Sequence, residues 1–139
     1  MFRIELMNWE QAAPVAGPIR FNIFVGEQNV PPGIELDDRD QECVHAIAYD
    51  KDGKAIGTGR LLPDGHIGRM AVVKDWRRMG VGDSILEALV EEARKRGHKE
   101  VVVAAQLQAA EFYRNHGFVA DGKVYKDAGI LHENMHKKL

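Results

Sequence analysis

The chain has a single cysteine, Cys43, so no internal disulfide can staple it. That thiol lies in the apolar run CVHAIAY, which reads as an inert core position more than a nucleophile. Long hydrophobic runs are missing too: nothing approaches the ~18 residues that a membrane span needs. The opening MFRIELMNWE has neither the basic start nor the apolar core of a secretion signal, and a cytoplasmic location is expected. Charge of one sign is also lacking. Lys and Arg number 19 against 21 Asp and Glu, a net charge of −2, so no global field favours nucleic acid or an anionic membrane. No linker, internal repeat or low-complexity tract divides the 139 residues, and one domain spanning 1–139 is expected. Its composition, 45% apolar and 29% charged, is that of an ordinary globular protein. At this length it can bury roughly two-thirds of its unfolded surface.

The hydrophobic patterning predicts a mixed α/β domain. FRIELM (2–7) alternates as a strand does. A first helix is expected from about Ile19, with Gly17 as cap, Pro18 in the first turn, and Ile19, Ile23 and Phe24 on one face. Pro31, Pro32 and Gly33 should end it. Residues 35–42, ELDDRDQE, read as a solvated loop or short helix. Three strands in antiparallel sequence follow: CVHAIAYD, KAIGTGRLL and HIGRMAVV, joined by DKDG and PDG turns. The glycines of the second would weaken it and let another backbone approach closely. A helix from about Met79 to Arg96 places Val81, Ile85, Leu86, Leu89 and Ala93 on one face, and Gly97 closes it. VVVAA (101–105) is apolar enough to be covered on both faces. Strand 66–73, helix and strand 101–105 thus form a βαβ crossover. QAAEFYRNHGF reads as a short helix ending at Gly117, and AGILHENMHKKL as a last strand.

The turn into the long helix carries two glycines and two arginines directly after MAVV, an arrangement that offers backbone N–H groups to a phosphate. A nucleotide P-loop would need a lysine and a hydroxyl residue after the last glycine, but Asp83 and Ser84 follow Gly82. A dinucleotide fingerprint would need glycine at position 85, which is Ile85, and a place on the first strand of its unit.

What remains, Arg77-Arg78-Met79-Gly80-Val81-Gly82, resembles the R/Q-x-x-G-x-G/A signature of the GNAT superfamily of acetyl-CoA-dependent N-acetyltransferases. Downstream, Gln106, Ala109, Tyr113, Gly117 and Phe118 fall at the spacing of the superfamily's N-x-x-A-x-x-x-Y-x-x-x-G-F segment, with glutamine in place of asparagine. The element order is similar throughout, and IRFNIFVGEQNVPPGIELDDRD and KDAGILHENM resemble the small ElaA-like bacterial branch.

The resemblance implies a GNAT fold: a central mixed sheet of about six or seven strands, helices on both faces and a βαβ acetyl-CoA-binding unit. It implies that the amides of Arg78, Met79, Gly80, Val81, Gly82 and Asp83, with Arg77 beside them, hold the CoA pyrophosphate at the helix N-terminus. Asp83 should point outward, since a carboxylate repels phosphate. Met70, Ala71 and Val72 would pair with the pantetheine arm as a further strand does, helped by a bulge near Met70–Ala71, and Gln106 would contact the cofactor from the next strand. Tyr113 takes the general-acid position. A phenol of pKa ~10 is protonated at pH 7 and can donate to a thiolate of pKa ~8.5.

The implied activity is direct acetyl transfer from acetyl-CoA to a primary amine of a small molecule or peptide, with a homodimer as one arrangement open to the chain. The rival is a catalytically silent acyl-CoA-binding module working through a protein partner. The general base stays open among Glu27, His45, His132 and an ordered water. Arg60 and Arg69 either bind an acceptor anion or pair with nearby acids. His132-Glu133-Asn134-Met135-His136 spells H-E-x-x-H, but as a strand it would set its histidines about 13 Å apart, too far for one metal. No metal is expected.

Overall fold

The computed structural model describes residues 1–35 and 37–139, the side chain of residue 34 excepted. Its strands are β1 (Phe2–Met7), β2 (Val44–Asp50), β3 (Ala55–Leu61), β4 (His66–Val72), β5 (Glu100–Gln106), β6 (Val119–Asp127) and β7 (Ile130–Lys138). They form one sheet in the order β1-β2-β3-β4-β5-β7-β6, with β4 and β5 parallel and the other pairs antiparallel. The helices are α1 (Trp9–Arg20), α2 (Pro32–Glu35), α3 (Val81–Lys95) and α4 (Ala110–Asn115).

Alternation along β2 assigns the two faces. Ala46 and Ala48 belong to the larger core under α3, and Ile47 packs with Ala12 and Ala16 of α1. Successive strand residues point to opposite faces, so helices cover both. In α3 the predicted stripe of Val81, Ile85, Leu86, Leu89 and Ala93 is buried. The glycines of β3 make room for it: a Cβ at Gly59 would meet Ile85 at 2.9 Å and Leu89 at 3.0 Å.

Two features correct the sequence reading. The first helix starts at Trp9, not near Ile19. Asn8 caps it by accepting from the Gln11 amide at 2.9 Å, and the Gln11 side chain returns a bond to the Asn8 amide. This capping box outweighs Pro14 and Pro18, which both lie inside the helix. From Phe21 to Glu27 the chain continues as a π-helical segment, and Ile19 and Ile23 are buried as expected. Pro32 opens the four-residue α2 and terminates nothing.

The second correction concerns the acidic stretch, where residue 36 lies outside the described residues. Glu35 and Asp40 are not solvated but buried, at 3% and 2% exposure. Arginines from three elements neutralise them. Arg20, at the end of α1 and only 1% exposed, bonds both acids, and Arg60 of β3 binds Asp37 and Asp40. Arg69 of β4 reaches Asp37 at 3.2 Å. A buried charge survives only when paired in this way.

Candidate active site

β4 and β5 pair only at His66–Val102 and Ile67–Val103 and then part. The parting coincides with a bulge. Thr58 opposes Ala71 and Arg60 opposes Gly68, so Gly59 faces two residues, Arg69 and Met70, and Arg69 takes a left-handed backbone (φ 50°). A bulge sharpens the local twist and turns the strand away from its neighbour. The gap opens into a cleft of about 450 Å³. Gly68 to Val72 line one wall, Ala104 and Gln106 the other, and Phe24, Gln28 and Val30 come from the segment after α1. Gly82, Phe112, Tyr113 and His132 complete much of the rest.

The bulge expected near Met70–Ala71 is present. Of the residues singled out from the sequence, Met70, Ala71, Val72, Arg77, Gly82, Gln106 and Tyr113 line the cleft. Arg78, Met79, Gly80, Val81 and Asp83 do not line it with side chains. Met79 is 61% exposed, Val81 is in the core, and Arg78 (φ 63°) and Gly80 (φ 85°) form the left-handed turn that starts α3. Asp83 turns outward to His116, 2.7 Å from its Nε2. Among the described residues, no side chain caps α3. The first amides of such a helix carry a partial positive charge that suits an anion.

Arg77 donates from Nε to the Val72 carbonyl at 2.8 Å and from Nη2 to Glu27 at 2.8 and 3.0 Å. Gln106 donates to Gln28 at 2.8 Å and accepts from Gln108 at 2.6 Å, a chain of three amides tying the end of β5 to the segment after α1. Tyr113 is 7% exposed, its ring edge-on to Phe112 and Phe118, and burial pushes its phenol up to about 12. The phenol is therefore fully protonated at neutral pH.

The base candidates separate. Glu27 is held by Arg77. His45 is buried away from the cleft, its Nε2–H donating to the Asp40 carbonyl at 2.9 Å, and burial lowers its pKa. His132 lies on the cleft wall. Its partner in the H-E-x-x-H string, His136, bonds Asp121 at 2.8 Å from within the same strand. Cys43 donates to the Arg39 carbonyl at 3.2 Å, and burial raises its thiol to about 11. The sequence reading passed over Phe24, Gln28, Gln108 and Phe112 as cleft residues. Phe112 sits beside Tyr113 in the recognised segment. The others had no pattern of their own.

A bulged parallel strand pair parting over an uncapped helix N-terminus defines a class, the mixed α/β transferase fold that takes in acyl-CoA. The chain belongs to the GNAT acetyltransferase family: the family described as "Acetyltransferase (GNAT) domain" matches residues 29–139. The Bacillus subtilis protein named "Uncharacterized N-acetyltransferase YjcF" is 40% identical over 123 residues, covering 86% of this chain and 87% of that one. An acyl-CoA N-acyltransferase from Pseudomonas aeruginosa superposes with a TM-score of 0.86 at 25% identity, over 99% of both chains. ElaA of Escherichia coli shares the fold, with a TM-score of 0.86 at 23% identity, over 99% of this chain and 100% of that one. No described helix is long and apolar enough to cross a membrane.

Proposed function

We propose that this chain moves the acetyl group of acetyl-CoA directly to a primary amine of a small molecule or peptide. The observation that carries the reading is the parting of β4 from β5 above the uncapped start of α3, with Tyr113 on the wall. On the side away from β3, the backbone of Met70, Ala71 and Val72 has no β5 partner and can pair with the amides of a pantetheine arm. The amides of residues 78–83 offer donors to the pyrophosphate, with Arg77 nearby. Gly82 fits this role, because a Cβ there would fill the space between Phe112 and Val72.

An N–H exposed by the bulge would stabilise the developing oxyanion, a contact worth ~10²–10³ in rate where measured. Tyr113 gives its proton to the departing thiolate. Cys43 lines no part of the cleft and holds its proton, which favours direct transfer over an acetyl-enzyme intermediate.

The test is a panel of primary amines incubated with acetyl-CoA, reading free thiol and acetylated product together. The transferase reading expects amine-dependent release of thiol with matching product. Tight acetyl-CoA binding with no amine dependence across the panel would favour the silent binding module instead.

A further inference from the structure

We propose that His132 is the general base, working through Nε2 in a tautomer that the fold imposes. The proposal rests on the transferase reading above. Three features of the ring carry it. First, β7 pairs His132 directly with Gln106 of β5, which places both side chains on one face at the end of β5, beyond the point where β4 has left. His132 therefore shares the cleft with Tyr113 and the bulged strand.

Second, Nδ1 lies 2.8 Å from the Ile130 carbonyl. A carbonyl can only accept, so Nδ1 must carry the proton, and in the neutral ring Nε2 is left with its lone pair. Third, the ring stacks on Tyr125, centroids 5.9 Å apart at 21°, which fixes its plane. Among the described residues Nε2 has no hydrogen-bond partner, and the residue is only 9% exposed. An imidazole held in one tautomer on a cleft wall, with its basic nitrogen unused, is arranged to take a proton.

The alternatives are engaged elsewhere, save Asp127, a lining carboxylate at the solvent-exposed end of β6. Both oxygens of Glu27 receive the Arg77 guanidinium, Glu35 is bonded by Arg20, and the His45 Nε2–H is committed to a carbonyl.

The proton balance closes. His132 Nε2 takes one proton from the acceptor ammonium, and the neutral amine forms the C–N bond with the thioester carbon. The C–S bond breaks and sulfur takes the phenolic proton of Tyr113. The new C–N nitrogen then carries two protons: one restores the phenol, the other stays as the amide N–H, and the proton held by His132 leaves to solvent. One acetyl-CoA and one ammonium give one amide, one thiol and one proton.

The test compares wild type with His132→Asn, whose side-chain N–H can still reach the Ile130 carbonyl but which has no basic nitrogen. Two acceptors are used: the best alkylamine from the panel, charged at pH 7, and hydroxylamine, already neutral there. The expected result is a fall of roughly 10²–10⁴ in kcat/KM for the alkylamine, a much smaller fall for hydroxylamine, and unchanged acetyl-CoA affinity. Equal losses on the two acceptors, or no loss on the alkylamine, would overturn the assignment while leaving the transferase reading intact. A wild type inactive with every amine would overturn the transferase reading itself, and the base with it. Nitrogen-15 NMR of the wild-type ring checks the tautomer without any variant. A pyrrole-like Nδ1 and pyridine-like Nε2 are expected, and the reverse pattern refutes the proposal.

Discussion

Gly82→Ala should stabilise the protein and weaken its hold on acetyl-CoA at the same time. Gly82 is the second residue of α3, where alanine is the better helix former by up to ~1 kcal/mol. The fold has room for the methyl group. Its nearest neighbours would be ring carbons of Phe112 at 3.6 Å and a Val72 methyl at 3.9 Å, ordinary contact distances. The ligand-free variant should therefore melt a few degrees higher, on the order of 2–4 °C. That same methyl occupies the cleft where the cofactor must reach the α3 amides. One misplaced carbon in a fitted pocket costs ~1–3 kcal/mol, or a 10–200-fold rise in Kd by calorimetry. Gly80→Ala is the contrasting case. Nothing lies within 4 Å of its Cβ position, but its φ of 85° costs any L side chain ~1–2 kcal/mol, so melting should fall. A Gly82→Ala protein that binds acetyl-CoA as wild type does would refute the placement of the cofactor.

Tyr113→Phe should lower turnover by roughly 10²–10⁴ with acetyl-CoA affinity nearly unchanged; equal activity would remove the phenol from the mechanism. Its melting temperature should barely move, since the hydroxyl has no hydrogen-bond partner among the described residues. Arg20→Met removes the hydrogen-bonded partner of buried Glu35 and leaves buried Asp40 to Arg60 alone, and urea denaturation should show a loss of about 3–5 kcal/mol. Asp37 is held down from 3.8 to about 2, chiefly by hydrogen bonds from Arg60. A depressed carboxylate stabilises the fold above its unfolded pKa and loses that stabilisation as pH falls through the folded one. Asp37→Asn should flatten the decline in stability between pH 3.8 and about 2, an effect of at most about 2 kcal/mol because water reaches the pair.

The strands and α3 were legible because their burial is written locally, as alternation in FRIELM and as the 3.6-residue stripe from Val81 to Ala93. The phosphate-type turn was legible because glycine at 80 answers a backbone need, a positive φ. The start of α1 was legible in principle. Asn8 and Gln11 spell a capping box, but Gly17 and Pro18 read as the start of the helix instead. The fate of the acidic stretch was not legible. Glu35 and Asp40 look like a solvated face until Arg20, Arg60 and Arg69 arrive from a helix and two strands. The bulge at Arg69–Met70 and the position of His132 depend in the same way on pairing between strands distant in sequence. Local patterns carry no trace of that pairing.

Where acetyl-CoA sits decides the mechanism, and amide hydrogen exchange reads this without knowledge of the acceptor. Saturating acetyl-CoA should slow exchange at Met70–Val72 and at residues 80–83, where the parted strand and the uncapped helix meet the ligand. Binding that leaves both segments unprotected, or protects only some other surface, would contradict this placement.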